Sequence, residues 1–229
     1  IEGESDGSFD GNDFIEFYGQ HNDGWFDESL YGSAAKHPNP YYSLFTDTIS
    51  YYLTWNNLIT NNRFVSETDT NFSAYTPDDF VNKEVVEFYS SGHIISQIGG
   101  VYIDGESNSF GATSLEYVES EGWFDDWYTL GGSKSKSISS KNAYALGNDA
   151  FLETVVIGES NFNGSSFSPD QHLRVNVGSN VFDTIFEGYR KVTAKMFVPI
   201  TDLGGTSTSV NFQSVNDLGS SVGKQSISY

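Results

Sequence analysis

The run Asp6-Gly7-Ser8-Phe9-Asp10, continued by Asn12 and Asp13, sets side-chain oxygens close together on a chain hinged at Gly7 and Gly11. Hard divalent cations collect roughly six to eight oxygens on a tightly curving loop. Asp6, Ser8, Asp10, Asn12 and Asp13 are therefore candidate calcium ligands, and calcium is the one cofactor the residues suggest. The run departs from an EF-hand loop at its end: counted from Asp6, the twelfth position is Phe17, with Glu16 one place early. Asp-Gly-x-Phe-Asp recurs at Asp23-Gly24-Trp25-Phe26-Asp27, and in degenerate form at Glu121-Gly122-Trp123-Phe124-Asp125. Asp and Gly are also ordinary turn residues, so the same copies read as acidic β-turns.

Other chemistries find less support. The histidines are His21, His37, His93 and His172; no two stand at metal-ligand spacing, and none lies beside a motif for a nucleophilic serine. His172 opens an expected strand and reads as structural. With no Cys in the chain, thiol catalysis, disulfides and zinc–thiolate sites are excluded. Thirty-one acidic residues offer so many carboxylate pairs that none stands out for glycoside hydrolysis. Neither a P-loop nor a dinucleotide-binding glycine pattern is present. Trp25, Trp55, Trp123 and Trp127 could stack on sugar rings. Trp123, Trp127 and Tyr128, set among Phe124, Asp125 and Asp126, are the candidate carbohydrate or partner contacts; aromatic side chains in an all-β protein serve equally as core.

The elements that must carry these residues read as strands. Phe14–Tyr18, Asp47–Trp55 and Val85–Tyr89 have strand composition, and Arg63–Val65 pairs with the second of these through a turn at Asn61-Asn62. Thr76-Pro77 starts a short helix. Ser133–Ser137 reads as a polar loop. The clearest strands are Phe151–Ile157, His172–Val177, Val181–Phe186, Lys191–Pro199, Ser207–Ser214 and Gln225–Tyr229. Leu173-Arg174-Val175-Asn176-Val177 shows the alternation of a strand with one buried face. The fold class is thus all-β: a β-rich module over residues 1–118, then a jelly-roll-like antiparallel β-sandwich over 119–229, with few or no long helices.

Aromatic residues make up 16% of the chain and supply burial that its aliphatic residues alone would not, so the chain is expected to fold. The formal charge of −20 repels phosphate backbones and anionic lipid, which excludes nucleic acid as an expected partner. No apolar stretch approaches the ~20 residues of a membrane helix, so no membrane insertion is expected. The first residues, Ile1-Glu2-Gly3-Glu4, and the last, Gln225–Tyr229, both read as cut from a longer chain.

Asp6–Asp10 followed by Asp13-Phe14-Ile15-Glu16-Phe17-Tyr18-Gly19 resembles a conserved region of PorU-type proteins, the gingipain-like cysteine peptidases that serve as sortases of the type IX secretion system. Asn22-Asp23-Gly24, Leu30-Tyr31, Asn39–Thr48 and Tyr51–Trp55 continue the likeness. Glu121–Asp125 is similar to the family's aromatic segment before its sandwich. His172–Val177 and Phe186-Glu187-Gly188 are similar to the sandwich strands. In that family the catalytic His and Cys lie in a separate caspase-like domain further along, and no residue here matches a catalytic position. The resemblance implies a non-catalytic N-terminal region of an exported peptidase at the outer-membrane surface of a Gram-negative bacterium. Its expected partners are the downstream peptidase domain and other surface proteins of the secretion system. The alternative expectation is a carbohydrate-binding surface module.

Overall fold

The computed structural model describes residues 10–11, 14–54, 58, 70–94, 117, 119–162 and 168–229. Among them the regular structure is almost wholly β, with short 3₁₀ helices at Trp25–Tyr31, Ala34–Lys36 and Ile200–Asp202. Strand β1 (Gly92–Ile94) pairs with β2 (Gly122–Phe124). The other strands are β3 (Tyr128–Thr129), β4 (Ser133–Ser139), β5 (Ala150–Gly158), β6 (Gln171–Val177), β7 (Asn180–Phe186), β8 (Lys191–Val198), β9 (Ser207–Ser214) and β10 (Lys224–Ile227). They form two antiparallel sheets, ordered β3-β10-β5-β8 and β4-β9-β6-β7.

The pairs nest: β3 with β10, β4 with β9, β5 with β8, and β6 with β7 at the centre. That is one long antiparallel hairpin rolled on itself, the jelly-roll solution to closing two sheets over one core. Its tip is the two-residue turn Gly178-Ser179. Gly178 has φ 56°, and a side chain there would press against the Asp202 carboxylate. Asp202 Oδ2 in turn accepts from Ser179 N at 3.0 Å and Asn180 Nδ2 at 3.0 Å, which fixes the tip.

Alternation decides what is buried. Leu173, Val175 and Val177 from β6, Val210 and Phe212 from β9, Val156 from β5 and Ile227 from β10 meet between the sheets. Val155 and Ile157 alternate with Val156 and so face outward from the first sheet. They are buried all the same, under Phe124 and Tyr229. A second small core therefore lies on the outer face of that sheet, and the chain before β2 packs over it. Tyr41 meets Tyr229 edge-on at 5.0 Å, Ser228 Oγ donates to Pro38 O at 2.9 Å, and Tyr89 N donates to Ser228 O at 2.9 Å.

Several expected elements differ. Ile15–Tyr18, residues 47–54 and 85–89 are irregular. β-rich composition makes no strand without a partner edge, and Tyr52 stands 90% exposed. Residues 76–80 form no helix, because a short helix needs a packed face and this stretch is exposed throughout. Arg63–Val65 and the Asn61-Asn62 turn lie outside the described residues. Ser133–Ser137, expected as a loop, is strand β4, paired along its full length with β9. Its serines face solvent while Lys134 and Lys136 turn toward the open edge of the sandwich.

Candidate functional site

At that open edge β3 follows directly on the aromatic segment, and β10 lies between β3 and β5. This brings Trp127, Lys224 and Glu159 to one rim. Trp127 is 53% exposed, and the Lys224 ammonium sits 4.3 Å from the centre of its ring, a cation–π contact. Glu159 follows the end of β5, where its N–H donates to Lys224 O at 2.8 Å. Burial pushes its carboxyl up to about 7, against the opposing pull of the Ser226 hydroxyl and the Lys224 and Lys134 ammoniums. Near neutral pH Glu159 can therefore both donate and accept, with the exposed Asp126 close enough to be felt and Lys224 between it and the indole's rim. That is chemistry suited to holding a polar ring or to moving a proton.

The other two aromatic candidates are placed differently. Trp123, on β2, is half-buried, and its Nε1 donates to Leu44 O at 3.2 Å. The Tyr128 ring is in the main core, and its hydroxyl donates to Gln225 Oε1 at 3.0 Å. Trp127 is thus the member of the three whose ring faces solvent.

Behind the rim stands Asp125, buried, with Oδ2 at 2.9 Å from Lys134 Nζ and 2.5 Å from Lys136 Nζ. Ser91 Oγ donates to its other oxygen at 3.3 Å, and the Lys136 ammonium also lies 3.9 Å from the centre of the Tyr89 ring. Burial pushes the Asp125 carboxyl up, but its bonds to the two ammoniums prevail and hold it below the ordinary range. The node ties residues 89–91, the turn after β2 and strand β4 together.

Of the calcium candidates, Asp10 is described and exposed; Asp6, Ser8, Asn12 and Asp13 lie outside the described residues. The second copy of the repeat builds a turn. Asn22 Oδ1 accepts from Gly24 N at 3.2 Å, Asp23 Oδ2 from Gln20 Nε2 at 3.0 Å, and Asp27 Oδ2 from Leu44 N at 2.7 Å. Gly24, at φ 86°, packs so close to the Tyr42 carbonyl that a side chain would collide with it. The third copy is β2 and the Asp125 node. Among the described residues no group of three or more His, Asp or Glu side chains is placed to hold a metal.

His37 marks the joint between the N-terminal segment and the sandwich. Its ring stacks obliquely on Tyr31 at 4.9 Å, and its carbonyl accepts from Lys191 Nζ at 3.0 Å. Burial lowers its basicity, Asp27 opposes that, and the Lys191 charge adds to it. A lowered histidine is native when neutral: its contribution is complete above the ordinary value of 6.5 and is lost as pH falls through the lower folded value. The melting temperature of the wild type is expected to fall faster than that of His37→Asn between pH 7 and 5. Parallel curves would show that the ring titrates freely.

Glu159 carried no sequence signal, and the lysine partners of Asp125 carried only a faint one. Glu159 is one carboxylate among thirty-one, and the Lys–Asp node depends on pairing β4 with β9. The alternation of Lys134 and Lys136 with serine was the one available hint.

Fold and rim together define an all-β jelly-roll sandwich with an N-terminal segment strapped across one sheet. Comparison with protein-family models, with curated proteins and with solved structures returns no match. No helix among the described residues is long and apolar enough to cross a membrane.

Proposed function

We propose that this chain is the non-catalytic N-terminal region of an exported gingipain-like, PorU-type cysteine peptidase, supporting folding, docking or substrate presentation for a peptidase domain further along the protein. The observation that carries this reading is the ordered series of motifs, Asp6–Asp10, Asp13–Gly19, Asn39–Thr48 and Glu121–Asp125, leading into a jelly roll. The strapped segment adds support, because it leaves Trp25, Phe26, Tyr52 and Phe72 exposed on the more acidic part of the chain. Such surface suits a docking partner. The reading frame is expected to continue past Tyr229 into a domain carrying the His and Cys of a cysteine peptidase. A frame without them overturns the reading.

We propose separately, from residue spacing alone, that Asp6, Ser8, Asp10, Asn12 and Asp13 bind calcium. Calcium at ~100 times its dissociation constant would stabilise the fold by about 2.7 kcal/mol, which raises the melting temperature by roughly 5–10 °C over a chelator control. Equal melting temperatures would return the loop to an acidic turn.

A second reading, carbohydrate binding, rests on the Trp127 rim with its neighbouring Glu159 and Lys224. It predicts that polysaccharide changes the tryptophan fluorescence of the wild type and leaves Trp127→Ala unaffected. No change in the wild type removes this reading.

A further inference from the structure

His172, the second residue of β6, has both ring nitrogens engaged. Nδ1 lies 2.7 Å from Asp217 Oδ1, and Nε2 lies 2.7 Å from Asp183 Oδ1. A carboxylate only accepts, and a neutral imidazole carries a single N–H. Both bonds are therefore satisfied together only by the imidazolium, donating from each nitrogen to a separate carboxylate.

The partners differ in how firmly they are held. Asp183 sits on β7, directly across from Arg174 in the β6–β7 register, and Arg174 Nε donates to its second oxygen at 2.6 Å. Asp217 belongs to the half-exposed loop 215–223 between β9 and β10, and its described carboxylate contact is the ring. The charged groups facing the imidazole are thus Asp183 from β7 and Asp217 from the loop, while Arg174 of β6 reaches it through Asp183. The start of the loop is held independently, since Val215 N donates to His172 O at 2.9 Å. The end of the loop runs into Lys224, whose ammonium covers Trp127.

We propose that His172 is a proton-operated clasp: charged, it pins loop 215–223 to the β6–β7 pair through Asp217, and on losing its proton it releases that loop. The neutral ring keeps one N–H. The Asp183 carboxylate, already oriented by Arg174, retains it, and Asp217 turns to solvent at small cost. Burial of the ring favours the neutral form, but the two carboxylates outweigh it and raise the ring above its ordinary 6.5. A raised histidine stabilises the fold fully below 6.5, and that contribution is lost as pH rises through the folded midpoint. The loop is therefore closed in mildly acid solution and opens on the alkaline side, the reverse of the response at His37.

The test is a titration of the whole chain by NMR between pH 5.5 and 9, following the ring nitrogens of His172 and the backbone amides of residues 216–219. The expected result is a doubly protonated ring at pH 6, a midpoint above 6.5, and loop amides that move with the same midpoint. Asp217→Asn, a surface change, should lower the ring midpoint and uncouple the loop amides from it. His172→Gln should abolish the amide titration. A neutral ring at pH 6, loop amides that stay still while the ring titrates, or an unchanged midpoint in Asp217→Asn would each overturn the clasp.

Discussion

Asp125→Ala is expected to lower stability by about 3 kcal/mol, the cost of breaking a largely buried ion pair and leaving its partners uncompensated. For a domain of this size that corresponds to a melting temperature lower by roughly 6–12 °C. The reason is the number of elements meeting at one carboxylate: Lys134 and Lys136 from β4 and Ser91 from the chain before β1 all point at it. All three charged side chains are mostly shielded from water, so the pairing is not an ordinary surface contact. Asp125→Asn keeps the shape but not the charge, and should fall between the wild type and the alanine variant. The effect has a sign in pH. Because the folded carboxyl is held below its ordinary 3.8, its contribution is present above that value and is lost as pH falls through the folded midpoint. The gap between wild type and variant should narrow in strong acid. A loss below about 0.5 kcal/mol at neutral pH would place Asp125 among surface pairs of little energetic consequence.

Phe124→Ala should cost more, about 3–5 kcal/mol, since it removes the fully buried ring that seals the second core. Val155 and Ile157 would lose their cover on the outer face of the first sheet, and Tyr229 its neighbour in the cluster. The main core between the sheets would remain. The expected outcome is therefore lower stability together with faster protease cleavage in residues 70–94, whose hold on the sandwich includes the Tyr89–Ser228 bond and the β1–β2 ladder. Phe124→Leu keeps most of the buried volume and should recover most of the loss. Wild-type cleavage rates in Phe124→Ala would mean that the segment is held by its hydrogen bonds alone.

The two variants probe adjacent residues with different chemistry. Phe124 points into an apolar layer and Asp125 into an ionic one, because successive residues of an extended chain face opposite ways. Both lie where the N-terminal strap meets the sandwich, alongside the Ser228–Pro38 and Lys191–His37 bonds.

The sandwich was legible in the sequence because its strands signal locally. Leu173, Val175 and Val177 alternate with polar residues, and Ser207–Ser214 has the bounds expected from the pattern. The N-terminal part was not. Tyr51-Tyr52-Leu53 has all the composition of a strand, yet a strand exists only where another edge accepts its N–H and C=O groups, and composition is silent on that. Ser133-Lys134-Ser135-Lys136-Ser137 erred the other way. Its polarity reads as loop, but the lysines extend along the edge of the core and bring their charges to Asp125.

What the sequence determined by itself was the class: short alternating strands, turn residues and aromatic bulk dictate an all-β sandwich, because the period of burial is written along the chain. What only the tertiary structure decided was which polar residues matter. Asp125, Glu159 and His172 take their character from partners 9 to 67 positions away: Lys134, Ser226 and Asp217. A carboxylate or an imidazole has no unusual chemistry until the fold removes its water and chooses its neighbours.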